Sequence, residues 1–281
     1  MISHHIYRPL SYFFIAFLLT FAFWFGGAYL SFQDEYRHLH MALMLPGLMT
    51  PFLVALVMTF TAKNPQLYKD FINRLTNLRL IRIKYLPAFL LLMPLSVLVS
   101  IGLSLPFGGT LEQFQLAEGF SFSSGFVPVL LLLLLAATFE ELGWRGYAFD
   151  SLQSRFSYFT ASFIFSLLWS LWHFPLIFVN GSYQFEIFQA NIWFGINFFI
   201  SIIPMGILIS WICAKNGKSI LAAIIFHLII NLSQEMLEIG QITKCIQTIV
   251  LTMIVIGVIV WDKELFFSTI HLKRQGHGVE V

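Results

Sequence analysis

Three charged residues stand where a leucine run ends: LLLLLAATFEELGWRGYAFD carries Glu140, Glu141 and Arg145 directly after a stretch suited to hydrocarbon. A charge at the bilayer centre costs at least about 2.5–3.5 kcal/mol on insertion scales, so each of the three is a functional candidate by default. Glu141 and Arg145 lie four residues apart on one helical face, with the acid nearer the N-terminus, and can neutralise each other. Glu140 is turned about 100° away from Glu141 and has no charged partner in its own helix, which leaves it available as a base toward the bundle interior. The segment SLLWSLWHFP adds His173, with Ser166 and Ser170 on its face; AAIIFHLIINLSQEM adds His227 and Asn231 four residues apart, with Glu235 one turn further. Hydrogen bonding between membrane helices accounts for any one of these sets alone. Three sets together point to a site.

A carboxylate and a histidine can position and deprotonate a water, while a second histidine and an asparagine amide can donate to a developing oxyanion. That is the equipment for hydrolysing an amide. Neither HExxH nor GxSxG occurs in the chain, so the common local hydrolase signatures are absent. Glu140, His173 and His227 can also be read as three zinc ligands with a fourth position open to water. Asparagine is a poor zinc ligand and a good oxyanion donor, which turns the expectation toward a site with no cofactor. The competing reading from another class is a transporter with these groups along a proton or ion path. Clustering on three helices and the lack of an inverted repeat count against it.

These residues need helices in lipid to hold them. Of the 281 residues 58% are hydrophobic and 11% charged, with a mean hydropathy of +0.81, whereas soluble domains are about a quarter charged. Apolar segments near 10–32, 39–62, 86–106, 126–149, 157–179, 191–214, 219–239 and 245–261 are each long enough to cross about 30 Å of hydrocarbon. The expected fold is therefore all-α, a polytopic transmembrane bundle of about eight helices forming one integral membrane domain over 1–281. The runs are continuous and do not alternate, which argues against a barrel. Pro46, Pro51, Pro94 and Pro204 fall inside spans and predict kinks. A net charge of +2 with no basic, aromatic-interleaved segment excludes nucleic acid as a partner, and Cys213 and Cys245 supply neither a disulfide framework nor a CxxC motif.

With the N-terminus inside, thirteen lysines and arginines fall in inner segments, among them the run from Lys63 to Lys84 and Lys273 with Arg274; the outer loops hold Arg37 and Lys244. The asymmetry predicts that both termini are cytoplasmic. In the 63–85 loop, Leu67, Phe71, Arg74, Leu75 and Leu78 recur at helical spacing, which predicts an interfacial helix or a plain basic loop. The stretch 107–125, with Phe107, Phe114, Leu116, Phe120 and Phe122, is expected along the outer surface. Counted at 1.5 Å per residue from the inner ends, Glu140 lies about 13 Å deep and His227 about 12 Å, but His173 about 24 Å. A fifth helix that starts later than 157 would remove the mismatch.

EELGWR fits an EExxxR motif, HLIIN an HxxxN motif, and WSLWH an aromatic-xxx-His motif, in the order found in the CAAX-protease and bacteriocin-processing membrane proteins. Over residues 126–240 the chain resembles a type II CAAX prenyl endopeptidase of the Ras-converting enzyme group, in an archaeal or bacterial version. The resemblance implies an intramembrane endopeptidase that removes the last three residues of a prenylated Cys-a-a-X terminus, its partners being the prenylated protein and membrane lipid. It implies that Glu140 activates water with help from His173, that His227 and Asn231 stabilise the oxyanion, and that Glu141 and Arg145 hold the shape of the site. The family's second motif commonly begins with Phe; Trp169 stands there, a departure of little consequence if the role is packing. Zinc stays an open alternative, as do a peptidase for non-prenylated peptides and a non-catalytic member. The short loops suggest a prokaryotic cell membrane, or the endoplasmic reticulum in a eukaryotic host.

Overall fold

A computed structural model describes residues 7–117 and 129–267. In chain order its helices are α1 (Pro9–Ser31), α2 (His40–Thr61), α3 (Pro65–Thr76), α4 (Leu86–Ser104), α5 (Val129–Gly143), α6 (Phe149–Gln153), α7 (Tyr158–Trp172), α8 (Tyr183–Ala190), α9 (Ile192–Lys215), α10 (Ile220–Glu235), α11 (Gln241–Trp261) and α12 (Lys263–Phe267). The all-α expectation holds: among the described residues the β pairing is a single bridge, Leu116 to Leu237. Phe120, Phe122, Lys273, Arg274 and the start of the span expected from 126 lie outside the described residues.

Six stretches are long and apolar enough to cross a membrane: Pro9–Ser31, Arg37–Thr61, Ile83–Phe107, Tyr158–Phe178, Ile192–Lys215 and Gln241–Trp261. The other two expected spans fall on α5 with α6 and on the shorter apolar α10, the helices that carry the polar residues. Helix α1 packs along α2, α2 along α5, α5 against α10, α7 against α9, and α11 against α4 and α9. Starts are written locally. Asn64, Ser157, Ser182, Asn191 and Ser219 each accept a backbone N–H of the first turn that follows, which satisfies donors that a helix start leaves open. Pro51 removes the donor for the Gly47 carbonyl inside α2, and that oxygen instead accepts from the Thr20 hydroxyl at 3.1 Å.

Between α5 and α6, Trp144–Ala148 is π-helical, so α5 and α6 form one continuous rod with a widened turn, a feature that often marks functional sites. The 63–85 segment does form an amphipathic helix, but α3 turns Leu67, Phe71 and Arg74 into the protein. Phe71 lies against Gly146, where a Cβ would overlap its ring. Buried Arg74 donates to the Arg145 carbonyl at 3.1 Å and toward that of Gly146 at 3.5 Å, and pairs with Asp70 at 2.8 Å and Asp150 at 3.0 Å. It thereby serves carbonyls of the π turn. Lys218, held at φ 62 in the turn before α10, reaches Asp150 at 2.8 Å.

These contacts explain the mismatch in depth. The rod ends at Gln153, not at 149, so Glu140 lies about 20 Å from its end at 1.5 Å per residue. Helix α7 begins at Tyr158 as the sequence suggests, so the later start expected for it is not found. Helix α10 begins recessed, level with Asp150. With the fourth helix longer and the seventh recessed, the three motifs fall at a common depth. Arg74→Met should lower stability by about 3 kcal/mol, because it strips a buried carboxylate of a partner and leaves carbonyls unserved. The check is the thermal unfolding midpoint in detergent.

Candidate active site

Glu140, on the last turn of α5, is buried and has its Oε2 fixed by two indoles. Trp169 Nε1–H donates to it at 2.7 Å and Trp144 Nε1–H at 3.4 Å. The other oxygen, Oε1, has no protein partner among the described residues, and Glu140 lines a cavity of about 410 Å³. Two indole N–H groups thus hold Glu140. Sequence reasoning gave Trp169 a packing role in which Phe would serve equally; the structure overturns that, because Phe has no N–H to donate. The signal was present in Trp144, four residues after Glu140, and in Trp169, four before His173.

Glu141 faces away from the cavity, 0% exposed, and joins two helices. Its Oε2 pairs with the Arg145 guanidinium at 3.0 Å and its Oε1 meets His227 Nδ1 at 2.9 Å. Arg145 in turn donates to Ser210 Oγ at 3.2 Å and toward the Gly206 carbonyl at 3.4 Å on α9, and lies 4.3 Å from the centre of the Phe165 ring on α7. The sequence predicted the pair but not these anchors. Gly206 itself was invisible as a site residue; a Cβ there would meet Ser166, on the serine face of α7.

His173 ends α7, where Nδ1 lies 2.8 Å from the Trp169 carbonyl. A carbonyl only accepts, so Nδ1 carries the proton and Nε2 of the neutral ring is left with its lone pair. His227 is oriented likewise by Glu141, through Nδ1. His173, His227 and Asn231 all line the same cavity as Glu140, with Glu235 further along it. The Asn231 amide and both Nε2 atoms have no protein partner among the described residues. The structure therefore gathers all four residues predicted to do chemistry at one cavity and places Glu141 and Arg145 behind them. Among the described residues no three of His, Cys, Asp and Glu stand close enough to share a metal ion.

The cavity runs from Glu140 toward the end of the bundle that bears His40, Ser182, Tyr183, Gln241 and Lys244. One wall is apolar, formed by Met41, Met44, Leu45 and Leu48 of α2 and Leu132, Leu133 and Ala136 of α5. Below it α2 and α5 close together, because Gly143 sits directly on the backbone of Pro51 and Phe52, leaving no room for a Cβ. The mouth is opposite the end that carries Arg8, Lys63 to Lys84, Arg155 and Lys215. The depths of Glu140 and His227 were counted from that basic end, whereas the cavity opens at the other.

The family described as type II CAAX prenyl endopeptidase Rce1-like matches residues 122–233, the region that holds all three motifs. The CAAX prenyl protease 2 of Methanococcus maripaludis is 60% identical over 268 residues, 95% of this chain and 99% of that protein. The chain belongs to the type II CAAX prenyl endopeptidase family. Lysostaphin resistance protein A of Staphylococcus haemolyticus is 26% identical over 215 residues, 75% of this chain and 54% of that one. Membership of this membrane-protease family and six apolar helices make the chain a multi-pass membrane protein.

In this family member the Glu141–Arg145 pair is out of water, so removing one partner strands the other. Arg145→Met should cost about 3–5 kcal/mol of stability, seen as a lower unfolding midpoint. Gly143→Ala should cost about 1–3 kcal/mol by overpacking against α2, in the same measurement.

Proposed function

We propose that the protein is an intramembrane endopeptidase that cuts a prenylated Cys-a-a-X terminus after the lipidated cysteine, with the catalytic helices within 126–240. The observation that carries this reading is the convergence of Glu140 Oε1, His173 Nε2, His227 Nε2 and the Asn231 amide on one cavity with an apolar wall. Water lodged between Glu140 and His173 attacks the scissile carbonyl and gives its proton to Glu140. His227 Nε2–H and the Asn231 amide N–H donate to the oxyanion; for His227 this requires a proton on both ring nitrogens, and Glu141 stands at Nδ1 to hold the second. Collapse of the intermediate breaks the C–N bond, and Glu140 returns the proton to the leaving amine. Glu141 and Arg145 keep His227 in place, and the wall of α2 and α5 receives the isoprenoid. No step draws on a cofactor.

The test is cleavage of a fluorescent farnesylated CAAX peptide by purified, chelator-treated protein. Wild type should cut after the lipidated cysteine, and Glu140→Ala should lose at least a hundredfold in kcat, as expected for an essential acid–base group. Trp169→Phe keeps the ring and removes one hydrogen bond to a charged oxygen, worth about 1.5–3 kcal/mol. It should lower kcat by about tenfold or more and shift the pH profile while leaving KM near its original value. Activity abolished by chelation and restored by zinc would replace the metal-free route.

A second reading is favoured by charge. Prenylated proteins are presented from the cytoplasm, which on the first reading sets the mouth of the cavity there; the bias of lysines and arginines supports a cytoplasmic location for the opposite end. The latter orientation suits cleavage of non-prenylated peptides from the other side. Glu186→Cys, at the mouth in α8, with Cys213 and Cys245 changed to Ser, separates the two. Labelling of intact cells by a membrane-impermeant maleimide supports the second reading, and labelling only after lysis supports the first.

A further inference from the structure

Among the described residues lining the cavity, Lys244 is the one lysine or arginine. It stands on the first turns of α11, half-buried, its ammonium donating to the Tyr183 hydroxyl at 3.0 Å and lying 4.4 Å from the centre of that ring. Tyr183 is itself fixed by donation to Gln241 Oε1 at 3.2 Å. No carboxylate forms an ion pair with Lys244 among the described residues, in contrast to Lys215 and Lys218, which are both engaged by aspartates. A cation held by a neutral phenol at the polar end of a cavity is positioned for an anion that comes from outside the protein.

The register of α10 against α11 gives the distance. Gln234 and Gln247 are bonded at 3.0 Å, so these residues are level. Lys244 lies three residues nearer the mouth than Gln247, and Asn231 three residues deeper than Gln234. At 1.5 Å per residue the two are about 9 Å apart along the bundle. Three residues of extended peptide span about 10 Å, the length of the tripeptide that follows the scissile bond.

We propose that Lys244 receives the carboxylate at the free C-terminus of the substrate, so that the cavity from Asn231 to Lys244 measures the three residues to be released. This rests on the reading of the protein as a peptidase of prenylated C-termini. The mouth reads the charge of the terminus and its distance from the cut, while the side chains of the tripeptide are left to the walls.

The experiment compares a farnesylated peptide ending in the free acid with the same peptide amidated, and with one extended by a glycine. Wild type should favour the acid by about tenfold or more in kcat/KM, chiefly through KM, as for a charge-assisted contact. In Lys244→Ala the acid-to-amide ratio should fall toward one, and Lys244→Arg should retain most of the preference. Cleavage of acid and amide alike by wild type overturns the proposal while leaving the peptidase reading intact, as does a preference that survives in a folded Lys244→Ala. Should that variant fail to fold, the wild-type ratios and the arginine variant decide. Cleavage of none of the three peptides by folded wild type overturns both readings.

Discussion

A carboxylate and a guanidinium taken out of water each lose several kcal/mol of solvation, and they recover it only when geometry and further hydrogen bonds are good. Glu141 and Arg145 meet at 3.0 Å with essentially no exposure, and nearly every other feature of the site follows from satisfying that pair. Arg145 turns its Nη2 to α9, at Ser210 and toward Gly206, and its flat face to Phe165 of α7. Glu141 spends its second oxygen on His227 of α10. One ion pair thus ties four helices, and in hydrocarbon, where apolar packing between helices has little driving force of its own, such polar ties specify which helices neighbour which.

The same demand reaches outward. The π turn that carries Arg145 presents carbonyls that an α-helix would bond in the ordinary way, and buried Arg74 from α3 serves them. Asp150 then balances Arg74 and draws in Lys218, which fixes the start of α10 and with it the level of His227. Trp144, from the same turn, packs edge-on against Trp172 and Phe165 while its N–H reaches Glu140. The geometry of the candidate site and the anchoring of α3 and α10 are parts of one connected set of interactions.

Much of this was legible in the residues themselves. Charges after a leucine run, an acid and an arginine four apart, and a histidine and an asparagine four apart identify helices and faces, because helical periodicity and the cost of charge in lipid act locally. What periodicity does not encode is the register between helices. The extension of the fourth helix to Gln153 and the recessed start of α10 depend on Asp150, Arg74 and Lys218 meeting across three segments, and so the depths of Glu140 and His227 were misjudged while that of His173 was not. Trp169 was undervalued for a related reason: its type announces packing, and only the approach of α5 shows that its N–H has a carboxylate to serve. The direction in which the cavity opens is a property of the whole bundle that no single span discloses.

The two-faced lining of that cavity has a kinetic corollary. Methionine and leucine form one flank, toward α2 and α5, while amides, hydroxyls and a lysine form the end. If a molecule with a greasy half and a water-soluble half is severed there, the halves no longer share an exit. The soluble fragment can diffuse off through the polar end, and the fatty one can slip sideways into the lipid. Neither has to wait for the other. Turnover then depends on two independent departures, and the slower one, set by how strongly the hydrocarbon chain partitions between protein and bilayer, would respond to the composition of the surrounding lipid.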